Sequence, residues 1–328
     1  METKLLSTNE IEQAAEIIRR GGLVAFPTET VYGLGGNALD PQAAKNIYAA
    51  KGRPSDNPLI VHIADFEEIG LLATEIPGEA IALADAFWPG PLTMVLPKQD
   101  RVPSATTGGI NTVAIRMPMD SAALQLIKLS GCPIAAPSAN LSGRPSPTQW
   151  QHVEADLSGK IDAIIKGDPC LVGIESTVLD LTNPWMPQVL RPGFITPRDI
   201  EEVLGVEVTV DPAVLSKPGS DLVPKAPGMK YKHYAPAAEM TIYKGSLDKA
   251  AAAIAEERKA LEAQGKKVVS LIYDEGKSAA ANLFADLRRA DEDGADVILA
   301  TALPEDGSLN NSVMNRMLKA AGYNIKEV

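Results

Sequence analysis

The hydrophobic pattern of this chain stops once and starts again. Short aliphatic runs alternate with helix-like stretches from Leu23 to Leu190, and the same alternation resumes at Met240. The gap, residues 205–238, carries Pro212, Pro218, Pro224, Pro227 and Pro236 and few aliphatic clusters. Proline removes a backbone donor, so such a stretch continues neither a helix nor a central strand. The pattern therefore predicts two α/β domains, 1–204 and 239–328, joined by a Pro/Gly-rich linker over 205–238. A length of 328 residues agrees, because one core rarely serves so many.

In the first domain the spacing predicts a helix over 9–20, capped by Asn9 and stopped by Gly21 and Gly22. Strands are expected at Leu23–Phe26, Leu59–Ile63, Leu92–Leu96, Thr112–Arg116, Ile134–Ala136, Ala163–Lys166, Thr177–Asp180 and Gln188–Leu190. Helices are expected at Pro41–Ala50, Glu79–Phe87 and Ala122–Leu129. After the linker, strands at Met240–Tyr243, Lys267–Tyr273 and Val297–Ala300 alternate with helices at Leu247–Ala263, Asn282–Ala290 and Ser312–Ala321. That is a small βαβαβα unit with a parallel sheet.

Charge and cysteine usage exclude some classes. The net charge of −11 and the 5% aromatic content speak against nucleic-acid binding as the main role. Cys132 and Cys170 support neither a disulfide framework nor a metal spacing, and read as reduced core thiols of a cytoplasmic protein. Residues 1–20 lack the basic start and apolar run of a signal peptide, and no stretch is apolar for long enough to span a membrane.

Two glycine motifs carry little. Gly33-Leu34-Gly35-Gly36-Asn37-Ala38 fits G-x-G-x-x-A, but the helix that should follow is delayed to Pro41. A turn using positive φ angles is the better reading than a pyrophosphate cradle. Gly276-Lys277-Ser278 imitates the end of a P-loop, yet Leu271 stands where its first glycine belongs, so it reads as a loop.

Other segments share a theme. Thr28, Glu29, Thr30 and Tyr32 follow the first buried strand. Lys51-Gly52-Arg53 sits just past a helix, where it serves either as a helix C-cap or as a phosphate clamp. His62 and Arg116 each end an apolar strand. An arginine there is either solvated or holds a carboxylate with both nitrogens. Residues 137–148 and 173–178 are dense in small hydroxyls, and Arg191 follows another strand. No nucleophile–base pair assembles. The pattern suits catalysis by positioning and by neutralising phosphate charge.

The segments PTETVYGLG, KGRPSDNPLIVHI, FWPGPLTMVLP, TVAIRMP, PSANLSGRPSPT, GIESTVLDL and VLRPG occur in this order, with KYKHYAP in the linker and Met314-Asn315-Arg316 near the end. Together they resemble the YrdC-type threonylcarbamoyl-AMP synthase family in its long, two-domain form. The resemblance implies a twisted mixed-sheet α/β domain followed by a small parallel-sheet, Rossmann-like one. It also implies a nucleotidyltransferase that condenses L-threonine, bicarbonate and ATP, with Mg²⁺, into threonylcarbamoyl-AMP and pyrophosphate. The adenylate then serves a separate transferase that modifies adenosine 37 of tRNAs reading ANN codons, so direct tRNA binding is expected to be weak or absent. By position, Thr30, His62, Arg116, Ser176 and the Ala136 backbone would contact threonine, with Arg116 on its carboxylate. Arg53, Asn57, Thr112, Ser138, Ser146, Arg191 and Tyr234 would hold ATP, with Lys51 and Arg53 supplying charge. Tyr234 and its neighbours Tyr231 and His233 lie on the linker, which in the long form crosses the site. Glu29, Glu175 and Asp180 are candidate Mg²⁺ ligands. Two competing readings stand beside this one: an RNA-binding module with a concave basic face, and a carbamoyl-transfer domain of the hydrogenase-maturation type. The missing cysteine pairs argue against the latter.

Overall fold

A computed structural model describes residues 2–215 and 233–328. In chain order the elements are β1 (Lys4–Ser7), α1 (Ile11–Arg19), β2 (Val24–Phe26), β3 (Gly33–Asn37), α2 (Pro41–Lys51), β4 (Ile60–His62), α3 (Ile69–Leu72), α4 (Gly78–Phe87), β5 (Leu92–Pro97), β6 (Thr112–Arg116), α5 (Ser121–Ser130), β7 (Ile134–Ala135), α6 (Trp150–Leu157), β8 (Ala163–Lys166), β9 (Thr177–Asp180), β10 (Gln188–Arg191) and α7 (Pro197–Leu204). They continue with β11 (Thr209–Val210), α8 (Pro212–Leu215), β12 (Glu239–Lys244), α9 (Leu247–Glu262), β13 (Val268–Leu271), α10 (Gly276–Glu292), β14 (Val297–Thr301), α11 (Leu309–Ala320) and β15 (Ile325–Glu327).

The chain divides into two compact units. One comprises Met1–Ser142 and Ser146–Lys230, the other Gly143–Pro145 and Tyr231–Val328. The first unit holds a mixed sheet in the order β1-β8-β2-β3-β7-β4-β6-β5-β9-β10-β11. Its inner strands β2, β4, β5, β6 and β9 are buried on both faces, which is why they read as apolar runs and not as alternating ones. Along β2 the side chains alternate between two layers. Val24 and Phe26 pack with Ala14 and Ile18 of α1 and Ala123 and Ile127 of α5, whereas Ala25 packs with Ile47, Leu83 and Val153 on the other side. Each fully buried Val, Leu, Ile or Phe among them contributes about 1.5–3 kcal/mol.

The second unit holds a four-stranded sheet ordered β13-β14-β12-β15, whose three strand pairs are all parallel. It has its own core, in which Tyr243, Ile254, Val268 and Leu299 are buried.

Several expectations need correction. Gly33–Asn37 is neither a turn nor a phosphate cradle but strand β3, paired antiparallel with β2 and β7. None of its glycines has positive φ. They are required by crowding: a Cβ on Gly35 would lie 2.7 Å from Ile134 Cγ2 and 2.8 Å from Phe26 Cε1. Gly276-Lys277-Ser278 is the first turn of α10 and not a loop. The first helix is entered through a capping box on Ser7 and Glu10, with Asn9 inside the 3₁₀ turn that precedes α1. β1, α6, α7 and β15 escaped the sequence reading. β15 is Ile325-Lys326-Glu327, three exposed residues at a sheet edge, so no apolar pattern marks it. Residues 205–215 of the expected linker hold β11 and α8, and β11 extends the large sheet beside β10. Residues 216–232, with Lys230, Tyr231 and Lys232 of the KYKHYAP motif, lie outside the described residues.

Candidate functional site: a buried guanidinium and its neighbours

Arg116 ends β6 and is 4% exposed. A guanidinium cannot lose its charge inside a protein, so its burial has to be offset by partners. Its Nη2 donates to Glu29 Oε1 at 2.6 Å, Nη1 to Thr30 Oγ1 at 2.9 Å and Nε to the Gly90 carbonyl at 3.1 Å. Glu29 is held in turn, because Met119 N donates to its Oε2 at 3.1 Å. The Thr30 hydroxyl also lies 2.8 Å from that of Thr28, which itself donates to the Val31 carbonyl. Arginine offers five N–H donors. Two of those on Arg116 have no acceptor among the described residues.

The neighbouring strand supplies an imidazole. His62 ends β4 and pairs in register with Arg116. Its ring meets Phe26 edge-on, with centroids 6.0 Å apart. Burial, and then the charge of Arg116, pushes its pKa down to about 3, so it is neutral at physiological pH. Backbone groups of Ile60 and Ile134 oppose that shift weakly. Its Nδ1 is buried with no hydrogen-bond partner among the described residues. The Ala136 N–H is already committed to the Ile60 carbonyl at 2.8 Å.

A second group surrounds Ser176, at the entry to β9. Arg191, at the end of β10, donates from Nε to the Ser176 carbonyl at 3.0 Å and from Nη2 to its hydroxyl at 3.1 Å. Gly193 makes this approach possible, since a Cβ there would lie 2.2 Å from Thr177 N.

A third group is built on the loop after β7. Lys51, the last residue of α2, is buried and donates from Nζ to the carbonyls of Ser138 and Asn140. Gly52 ends the helix at φ 60°, so the lysine turns inward. The Ser138 hydroxyl donates to Asn140 Oδ1 at 2.5 Å. Ser146 donates to Glu175 Oε1 at 2.6 Å, and both are buried.

Arg53 and Asn57 form a fourth group just before β4. Arg53 Nη2 donates to the Asn57 and Pro58 carbonyls at 3.3 and 3.2 Å. Asn57 Oδ1 is buried without a partner among the described residues. Thr112 opens β6 at the far end from Arg116.

Tyr234 belongs to the second unit. It adopts φ 64°, a left-handed conformation that a non-glycine residue rarely takes, and its ring lies 5.0 Å from that of Phe284.

The structure thus brings Thr30 and Arg116 together with His62 beside them, and joins Ser176 to Arg191. The proposed Mg²⁺ ligands do not converge. Glu29 is bound to Arg116, Glu175 to Ser146, and Asp180 to the backbone and hydroxyl of Thr182. Among the described residues no three His, Cys, Asp or Glu side chains are gathered for a metal ion. No helix among them is long and apolar enough to cross a membrane. Sequence reasoning passed over Thr93, a buried hydroxyl that lies 2.7 Å from Ser176 Oγ. The signal was present as one polar residue inside the apolar run Leu92–Leu96.

Fold and site together define an α/β protein that gathers guanidinium, neutral imidazole and hydroxyl groups at strand ends, an arrangement suited to holding anions without a covalent nucleophile. The Sua5–YciO–YrdC family model, described as telomere recombination, matches residues 16–193. The model for the threonylcarbamoyl-AMP synthase C-terminal domain matches residues 195–322. The chain belongs to this family, in its two-domain form. It is 53% identical to a threonylcarbamoyl-AMP synthase of Pyrococcus abyssi over 97% of this chain and 96% of that one. It is 46% identical to the Bacillus subtilis protein of the same name over 98% and 96%. The crystal structure of P. abyssi Sua5 complexed with L-threonine matches with a TM-score of 0.93 at 50% identity, over 100% of both chains.

Proposed function

We propose that this chain condenses L-threonine, bicarbonate and ATP into threonylcarbamoyl-AMP and pyrophosphate. The observation that carries this reading is Arg116, a buried guanidinium with two N–H donors that find no acceptor among the described residues, set beside a neutral histidine and the Thr30 hydroxyl. Those two donors match the two oxygens of an amino-acid carboxylate. Because Glu29 balances the arginine's charge, the carboxylate is held by directed hydrogen bonds more than by net attraction. Ser176 and the uncharged His62 face the rest of the threonine, and Ala136 contributes backbone.

ATP is held by Arg53, Asn57, Thr112, Ser138, Ser146 and Arg191. The buried Oδ1 of Asn57, without a partner among the described residues, suits an amino donor such as that of adenine. Lys51 fixes the loop carrying Ser138, so its charge stays beside the phosphates while its N–H groups shape the loop.

The threonine amine and bicarbonate give N-carboxy-threonine and water. A carboxylate oxygen of that carbamate attacks the α-phosphorus, the bond to the β-phosphate breaks and pyrophosphate leaves. Two anions must meet, so the cations do most of the work. Mg²⁺ brought by the nucleotide would offset phosphate charge there, and no cluster of carboxylates among the described residues is gathered to hold it. The product passes to a separate transferase acting on tRNA, and the net charge of −11 makes direct tRNA binding weak.

The test is pyrophosphate release from ATP with each of the twenty amino acids, with and without bicarbonate. Release that requires bicarbonate and is greatest with threonine is expected. Release that ignores both, or none at all, refutes the reading.

A further inference from the structure

We propose that Thr93 is a positioning residue that aims the Ser176 hydroxyl at the amino-acid substrate. This rests on the reading above that Ser176 contacts threonine. Thr93 is the second residue of β5 and has no exposed surface. Met94 pairs with Ile115 across the antiparallel β5–β6 ladder. One step further along that ladder places Thr93 opposite Arg116, which is itself in register with His62. His62, Arg116 and Thr93 therefore form one cross-strand row, and residues in such a row share a face of the sheet.

The direction of the hydrogen bonds follows from counting donors. The Thr93 hydroxyl has Ser176 Oγ, at 2.7 Å, as its hydrogen-bond partner, and no other among the described residues. A buried O–H without an acceptor is costly, so Thr93 donates to Ser176. Arg191 Nη2 also meets Ser176 Oγ, at 3.1 Å, and a guanidinium can only donate. A serine oxygen has two lone pairs, and these two donors occupy both. The Ser176 O–H therefore has no acceptor left among the described residues and becomes a directed donor for an oxygen of the substrate. In the opposite arrangement Ser176 would donate to Thr93, which would leave the Thr93 proton buried without a partner and remove the donor from the site. The methyl of Thr93 only fills space; its hydroxyl decides which way the serine proton points.

Bicarbonate-dependent pyrophosphate release, with threonine and ATP varied separately, tests this in T93V, T93S, S176A and the double variant T93V/S176A. Expected is a rise in threonine KM of about five- to tenfold in T93V, with ATP KM held within about twofold. T93S, which keeps the hydroxyl, should return threonine KM to within about twofold of the parent. The double variant should be no worse than S176A alone, because the two hydroxyls act as one unit. If S176A raises threonine KM and T93V does not, the positioning role is wrong. If S176A leaves threonine KM unchanged, the assignment of Ser176 to the amino acid is wrong instead. Equal losses for both substrates that T93S does not restore would mark Thr93 as a packing residue and overturn the proposal. Should T93V fail to fold, T93C carries the same test: its weaker donor should give an intermediate threonine KM, and an unchanged one refutes the role.

Discussion

At the residue scale, charge burial governs this site. Arg116 and Glu29 are 4% and 2% exposed at the side chain and lie 2.6 Å apart. Removing one member of such a pair strands the other charge in a poor solvent, which typically costs about 3–5 kcal/mol. Glu29→Ala should therefore lower stability by about that amount in urea titration, whereas Glu29→Gln, which can still accept from Met119 N, should cost less. A small loss for Glu29→Ala would mean that water reaches Arg116. His62 makes a separate prediction. Its folded pKa lies near 3, below the ordinary 6.5, so the unfolded chain takes up a proton first as pH falls. The neutral ring's contribution is complete above about pH 6.5 and is lost progressively towards pH 3, with a slope of about 1.4 kcal/mol per pH unit. Urea midpoints measured at pH 7, 5 and 4 should fall more steeply in the parent than in His62→Gln. The histidine should also leave no inflection in threonine KM between pH 6 and 8.

At the scale of elements, close backbone approach decides positions that pattern leaves open. The turn after β10 passes so near β9 that a methyl at Gly193 would overlap Thr177 N, a backbone atom with no freedom to yield. Gly193→Ala should push Arg191 off Ser176 and reduce kcat/KM by about a hundredfold, the scale of a 1 Å misplacement. Gly52→Ala, where a methyl meets nothing within 4 Å, should cost only the left-handed φ, about 1 kcal/mol of stability, with catalysis kept. Steady-state kinetics on both variants checks the contrast. The same physics explains what was legible in the sequence. β6, β8 and β9 lie where their apolar runs predicted, because a buried strand needs such a run. β3 was not legible. Gly33-Leu34-Gly35-Gly36 lacks the side chains that mark a strand, and only the packed Phe26 ring and Ile134 show why it must lack them.

At the scale of the whole molecule, each unit has a core of its own, and the three tryptophans, Trp88, Trp150 and Trp185, all belong to the first. Tryptophan fluorescence therefore reports on the large sheet, while far-ultraviolet circular dichroism reports on both units. In urea the two signals should give non-coincident transitions if the cores melt separately. Coincident curves at several temperatures would show one cooperative unit.

The sequence by itself determined that there are two α/β blocks, where most strands run, and which side chains are suited to anions, since periodicity and residue chemistry are local properties. The ordered motifs likewise pointed to the family without any coordinates. Only the tertiary structure decided that Glu29 balances Arg116, that Lys51 turns inward to hold a loop, and that Thr93 meets Ser176. These pairs stand 87, 87 and 83 positions apart along the chain. Neither partner's local pattern encodes such a separation, because it is set by which strands the sheet makes neighbours and in what register.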